Sequence, residues 1–234
     1  MTPIAWIILL VVALIALGAV LYWQLVIAEG AYLGRRVVAV LYDWYAPRYD
    51  RVKGFLPGMD MLTLALPIMR HLSRHSNISD ATQPFVLDVA TGTGRLAEAL
   101  LAQNNFRGHI IGLDASGRML ARAQAKLAQH VDRITWIKHD AQRLPFDDDY
   151  FEVVACLESI EFFPQPLDAV IEMMRVLKPS GLLMLSNRIG ADAWKMPGRA
   201  MPTPAFVTWL EQHGLRNVES ESWLVDYDLI HALK

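Results

Sequence analysis

Val86-Leu87-Asp88-Val89-Ala90-Thr91-Gly92-Thr93-Gly94 runs from a short apolar strand signal into a glycine-rich turn, and a helix-forming stretch, Arg95 to Gln103, follows at once. Strand, tight turn and helix in that order open a βαβ unit. The pattern then repeats. His109 to Asp114, Arg133 to Lys138, Tyr150 to Leu157 and Leu182 to Asn187 read as further strands, with helices over Gly117 to Gln129, Leu167 to Leu177 and Phe206 to His213. The last 19 residues read as two strands on a short link, an antiparallel hairpin. Strands alternating with helices imply a parallel sheet covered on both faces.

The chain before this repeat is of a different kind. Ile4 to Leu21 carries no polar side chain, and the run extends to Ala28 with Gln24 as its one interruption. As a helix, the stretch from Ile4 to Ile27 would reach about 36 Å, enough for a hydrocarbon core of about 30 Å. Trp6 at one end and Tyr22-Trp23 at the other suit the two interfaces. A cleaved signal peptide would want a basic start and a shorter core, whereas the first cation is Arg35. Arg35, Arg36, Arg48, Arg51 and Lys53 all follow the span, so the positive-inside tendency places the remainder in the cytoplasm as a single-pass membrane protein. Ala31 to Tyr45 and Gly58 to Arg74 read as helices, the second bent by Pro67, and Ser73 to Pro84 as a connector. The expected organisation is an anchor over 1–30, juxtamembrane and cap helices over 31–83, and a core over 84–234.

Composition sets limits on function. Of 234 residues, 53% are apolar, above the usual ~45–50%, and the excess lies in the anchor segment. The rest is too apolar for disorder. With 22 basic and 24 acidic side chains the net charge is −2, which argues against nucleic acid as a partner. Cys156 is the sole cysteine, so neither an internal disulfide nor a cysteine zinc site is expected, and no metal site is assigned.

Asp88, Asp114 and Asp140 stand at or near the ends of the first three strands, where an open parallel sheet binds its ligands. Singly, each reads equally as a cap or turn residue. The turn alone is also ambiguous: Gly92-Thr93-Gly94-Arg95-Leu96-Ala97 fits the G-x-G-x-x-A fingerprint of dinucleotide binding, with Asp114 at about the spacing of a ribose-binding acid. A pyrophosphate, however, wants bare N–H groups and would be repelled by Asp88. Three acids around one turn suit a ligand carrying cationic groups.

These residues resemble a known family. Val86 to Gly94 looks like the first motif of class I S-adenosylmethionine-dependent methyltransferases, and Gly112-Leu113-Asp114-Ala115-Ser116 with Met119-Leu120 looks like the second. Asp140-Ala141-Gln142-Arg143-Leu144-Pro145-Phe146 is similar to the third, Phe151-Glu152-Val153-Val154 to the fourth, and Arg175 to Gly181 to the turn before strand five. The closest type is that of ubiquinone and menaquinone biosynthesis, which also carries Tyr-Asp pairs upstream, as in Tyr42-Asp43 and Tyr49-Asp50. The resemblance implies a Rossmann-like α/β fold, a seven-stranded, mostly parallel sheet with helices on both faces, here preceded by a transmembrane helix and cap helices. It implies S-adenosyl-L-methionine as cofactor. Gly92 and Gly94 would admit the methionine part, Asp88 would hold its amino group, Asp114 the ribose, Ala115 and Met119 the adenine, and Asp140 with Ala141 the adenine edge. Ala90 and Cys156 complete the expected set; Ala90 stands where the family usually has its first glycine.

Methyl transfer is an in-line displacement, so placement supplies most of the catalysis, and a base is needed only if the acceptor must lose a proton. Cys156 to Glu161 follows the fourth strand, and Glu158 or Glu161 is the candidate catalytic base or orienter, against the alternative of surface acids. Ile189 to Pro204, with Trp194, Met196 and Met201, sits where this fold often builds an acceptor lid. With the cap helices it would enclose an apolar chamber near a lipid bilayer, which suggests a small apolar acceptor: a quinone precursor, a lipid or a hydrophobic thiol. Two other readings stay open, a membrane-tethered binding module without catalysis and a dinucleotide-dependent oxidoreductase.

Overall fold

The computed structural model describes residues 2–75 and 83–234, and most of the expected connector lies outside them. The strands are β1 (Phe85–Val89), β2 (His109–Asp114), β3 (Ile134–Lys138), β4 (Phe151–Cys156), β5 (Leu177–Arg188), β6 (Arg216–Leu224) and β7 (Tyr227–Leu233). They form one sheet in the order β3-β2-β1-β4-β5-β7-β6. The first five pair in parallel, and β7 runs antiparallel to both β5 and β6. The chain works outward from β1 to β3 and then returns to place β4 on the other side of β1. That reversal creates a crevice beyond the carboxyl ends of β1 and β4.

Alternation along β1 feeds two separate cores. Leu87 and Val89 pack on one face with residues of α8 (Pro166–Val176) and α9 (Thr203–Gln212). Val86 packs on the other with residues of α5 (Leu66–His75) and α6 (Arg95–Leu101). Between β2 and β3 lies α7 (Gly117–Lys126), N-capped by Ser116. The mostly parallel seven-stranded fold with helices on both faces is thus as the pattern and the resemblance imply.

Three local boundaries differ from expectation, each for a physical reason. The helix expected from Ala31 starts at Arg35, as α2 (Arg35–Tyr45), because Gly34 takes φ 90° and breaks the turn ahead of it. The helix expected over 58–74 is α4 (Pro57–Asp60), a π-turn over Met61–Ala65, and α5. Pro67 has no N–H to continue the α-helical ladder, and the wider turn falls just before it. Finally, β5 begins five residues early. Leu177 already pairs with Phe151, and the register then shifts so that Leu182 faces Val153, leaving Lys178 to Gly181 as a bulge.

The N-terminal apolar run is helical from Pro3 to Ile27: α1 (Pro3–Tyr22) continued by a π-turn. It has 25 residues, a mean hydropathy of 3.1 and no buried part, so it is long and apolar enough to cross a membrane. Its foot is fixed to the loop beyond β5. The Trp23 indole N–H donates to the Lys195 carbonyl (3.1 Å) and its ring stacks on Tyr32, whose hydroxyl donates to Pro197 O (2.7 Å). Arg199 closes the corner by donating to the Ala31 carbonyl. From there α2 and α3 (Tyr49–Lys53) reach the loops at the carboxyl edge of the sheet, and α4 leads to α5 on its face.

Candidate functional site

Each strand-end acid has a defined setting. Asp88 is buried beneath the turn, with the Thr91 hydroxyl donating to it at 2.5 Å. Burial, with a smaller contribution from the neighbouring Asp114, pushes its carboxyl up to about 7 against the pull of the Thr91 hydrogen bond and of Arg95. Asp114 accepts the Gly92 N–H on one oxygen and the Ser116 N–H on the other, both at 2.8 Å. Burial raises its carboxyl too, opposed by those two bonds. Asp140 accepts the Gln142 N–H (3.1 Å) and is ion-paired with Arg35 of α2.

Two adjoining cavities open among these residues. The larger, about 90 Å³, has mainly apolar walls that include Val38, Tyr42, Phe162 and Phe163, with Asp114, Asp140 and His139 among its polar groups. The smaller, about 30 Å³, is lined by Asp88, Thr93, Arg95 and Phe55 among others. Tyr49, Ala90, Gly92, Leu157 and Glu158 belong to both and so mark where they meet.

Eight of the expected residues border these cavities: Asp88, Ala90, Gly92, Asp114, Ala115, Asp140, Ala141 and Glu158. Four do not. Gly94 faces inward, where a Cβ would lie 3.1 Å from Trp136 and 3.3 Å from Ala123, so its lack of a side chain serves the seating of α6. Met119 and Cys156 are fully buried; the Cys156 sulfur lies 3.0 Å from the Ser159 hydroxyl, and burial pushes its thiol well up, so it stays protonated. Glu161 is turned into the core by the short 3₁₀ turn Ile160–Phe162. There it accepts from Arg188 Nε (2.6 Å) and the Tyr227 hydroxyl, in a buried structural pair.

Glu158 is held from both sides. One oxygen meets Arg95 Nη1 at 2.5 Å and the other meets Lys53, while its own N–H donates to the Ser186 hydroxyl. Arg95 in turn grips buried Asp60 through two nitrogens, at 2.6 and 3.0 Å, between the rings of Phe55 and Trp223. Both Glu158 (φ 51°) and Ala90 (φ 55°) occupy the left-handed region, which costs a residue with a Cβ about 1–2 kcal/mol. Two such residues where the cavities meet mark a place where position is held against strain.

The cap reaches the loops beyond β1 to β4. Asp43 accepts from the Ser116 hydroxyl (2.6 Å) and the Arg118 N–H (2.9 Å), at the start of α7. Thr93 donates to Asp50, and the Tyr49 ring lies over Gly92. Arg35, Lys53, Asp60, Arg95, Phe162 and Phe163 were not among the sequence candidates. Arg95 had a signal in its position directly after the turn; Arg35 and Lys53 showed only as cations near an anchor.

Comparison with known proteins agrees with this fold. Residues 86–181 match the family described as a methyltransferase domain. A demethylmenaquinone methyltransferase of Lactiplantibacillus plantarum is 34% identical over 148 residues, 62% of this chain and 59% of that protein. The chain thus spans less than two thirds of that relative's length. Among solved structures, a S-adenosylmethionine-dependent methyltransferase from Aquifex aeolicus superposes with a TM-score of 0.54 at 20% identity, over 76% of this chain and 98% of that one. The [4+2]-cyclase SpnF superposes with a TM-score of 0.66 at 20% identity, over 86% and 96%. These likenesses show the fold, a frame that serves more than one chemistry.

Proposed function

We propose that this chain is an S-adenosylmethionine-dependent methyltransferase, held to a bilayer by α1, that methylates a small apolar acceptor. What carries the reading is the junction of a small charged cavity with a larger apolar one at Gly92 and Glu158. When bound, the cofactor supplies an electrophilic methyl group on a sulfonium. Its donor set fits the residues present: Asp88 for the ammonium, Arg95 for the carboxylate, Asp114 for the ribose hydroxyls, and Asp140 with Ala141 for the adenine edge. A pyrophosphate in the same place would meet Asp88 and Asp114, and the Gly92 N–H it needs is already given to Asp114. That disfavours the dinucleotide alternative.

The protein's own part is mainly placement. Glu158, fixed by Arg95 and Lys53, orients the acceptor or takes its proton once Lys53 moves away. Glu161 acts through structure, holding Arg188 and Tyr227 behind the site. Val38, Tyr42, Phe162 and Phe163 exclude water and favour an apolar acceptor, and Arg199, which donates to the Phe163 and Pro164 carbonyls, ties that wall to the foot of α1. An acceptor partitioned into lipid would thus meet the cavity beside the anchor, with the core on the cytoplasmic side.

The test is calorimetric titration of the full chain in nanodiscs with S-adenosylhomocysteine and, separately, NADH, followed by turnover of methyl-labelled cofactor with a membrane lipid extract. Binding of the first ligand alone, and label in the organic phase, is expected. Label passing only to water-soluble acceptors would refute the apolar acceptor. Binding without turnover on any extract would favour the non-catalytic module, a reading that the double engagement of Glu158 keeps open.

A further inference from the structure

The helical runs 35–53 and 57–74 meet at 93°, and together they are apolar enough to pass for a membrane span. The inner side of the first run is tied by polar contacts to the loops beyond β1, β2, β3 and β4, through Asp50, Asp43, Arg35 and Lys53, and Asp60 near the start of the second is ion-paired with Arg95. The first run therefore lies across the carboxyl edge of the sheet and turns its other side away from it, while α5 at the far end of the second packs on a sheet face. That outer side is strongly apolar. Val40 and Trp44, one helical turn apart, are 65% and 74% exposed, and Val52, Leu56, Met59 and Leu62 continue the surface at 43–63%. Single exposed apolar residues are ordinary, but a run of them on consecutive elements is not. Arg36, Arg48 and Arg51 are interleaved and exposed, and among the described residues no acid pairs with them.

We propose that the outer face of α2–α4 is a lipid-docking surface that lies in the headgroup region of the bilayer entered by α1. The proposal rests on the reading of α1 as an anchor and adds the orientation of the catalytic domain. Continuity argues for lipid over a protein partner. The foot of α1 sits on Lys195 and Pro197, in the loop that follows β5, so anchor and patch share the carboxyl edge of the sheet. Apolar groups bordered by arginines match the boundary between acyl chains and phosphates, where such a face sinks about 5–10 Å. Long arginine stems then carry their charge outward to the phosphates. The mouth of the larger cavity, bordered by Val38 and Ala39 of α2, is held at the lipid surface as a result.

Nitroxide labelling of the full chain in nanodiscs containing anionic lipid tests this. Cysteines are introduced singly by Leu56→Cys, Leu14→Cys and Val225→Cys; native Cys156 is buried and serves as the unlabelled background. Val225, 93% exposed at the β6–β7 turn, is the aqueous reference. The expected result is an oxygen-to-nickel-chelate accessibility ratio several-fold higher at positions 14 and 56 than at 225. A lipid-like ratio at 14 with a water-like ratio at 56 overturns the docking surface while the anchor stands. A water-like ratio at 14 overturns the anchor and the proposal with it. Exclusion of both reagents at 56 places protein there, such as a second copy, and also overturns it.

Discussion

Asp88 gives the site a pH dependence whose sign and size follow from its burial. Its carboxyl titrates at about 7 in the free protein. At pH 6 only about one molecule in eleven carries it ionised, and at pH 8 about ten in eleven do. A ligand ammonium beside Asp88 favours the ionised form, so binding expels the proton, and affinity rises with pH through the free-state value. By linkage, S-adenosylhomocysteine should bind about tenfold more tightly at pH 8 than at pH 6, or about 1.4 kcal/mol. Close to one proton per ligand should be released at pH 6, falling toward none at pH 8. Calorimetry in two buffers of different ionisation enthalpy reads both quantities. Burial also raises the neighbouring Asp114, so Asp88→Asn is the control; the slope should flatten, leaving only what Asp114 contributes. An unchanged tenfold rise in Asp88→Asn, or affinity that falls as pH rises, would refute the assignment of Asp88 to the ammonium.

Other outcomes are expected from the same geometry. Asp114→Ala removes charge-assisted bonds of about 1.5–3 kcal/mol, so cofactor affinity should drop roughly 10- to 100-fold in the same titration. Glu161→Ala leaves the Arg188 guanidinium with only the longer contact to Asp192 (3.8 Å), at a cost of up to about 3–5 kcal/mol, and the thermal midpoint should fall on the order of 10 °C; an unchanged midpoint would show the pair to be idle. Gly112→Ala places a Cβ within 2.5 Å of Trp136 Cε3, an overpacking that should cost about 1–3 kcal/mol in denaturant unfolding. Glu158→Gln should lower turnover with little change in cofactor affinity, and equal losses in both would assign Glu158 to cofactor binding instead.

The core was legible because its signals are local. Phe85 to Arg95 encodes strand, turn and helix start within eleven residues, and each later strand is a short apolar run ended by an acid or a turn. The bend at Pro67 was readable, but the start of α2 and the early beginning of β5 were less legible, since Gly34 and the Lys178–Gly181 bulge act through backbone geometry that hydropathy does not register. Within the site, the residues missed are those paired at long range. Arg35 and Asp140 are 105 residues apart, as are Lys53 and Glu158, and Asp43 is 73 residues from Ser116. No periodicity couples such positions. Glu158 and Glu161 looked equivalent at a spacing of three, and only the turn between them sends one to the cavity and the other into the core.

Those long separations also bear on how the chain is made. On the reading of α1 as an anchor, it enters the bilayer first, and Lys53 leaves the ribosome 105 residues before Glu158. At about 5–20 residues per second the cap helices wait roughly 5–20 s for the partners of their inner face. An apolar segment waiting that long in water invites aggregation, whereas one tethered a few residues from a membrane has somewhere to rest. The surface proposed to orient the finished protein would then serve earlier as the shelter on which its cap is stored until the sheet arrives beneath it.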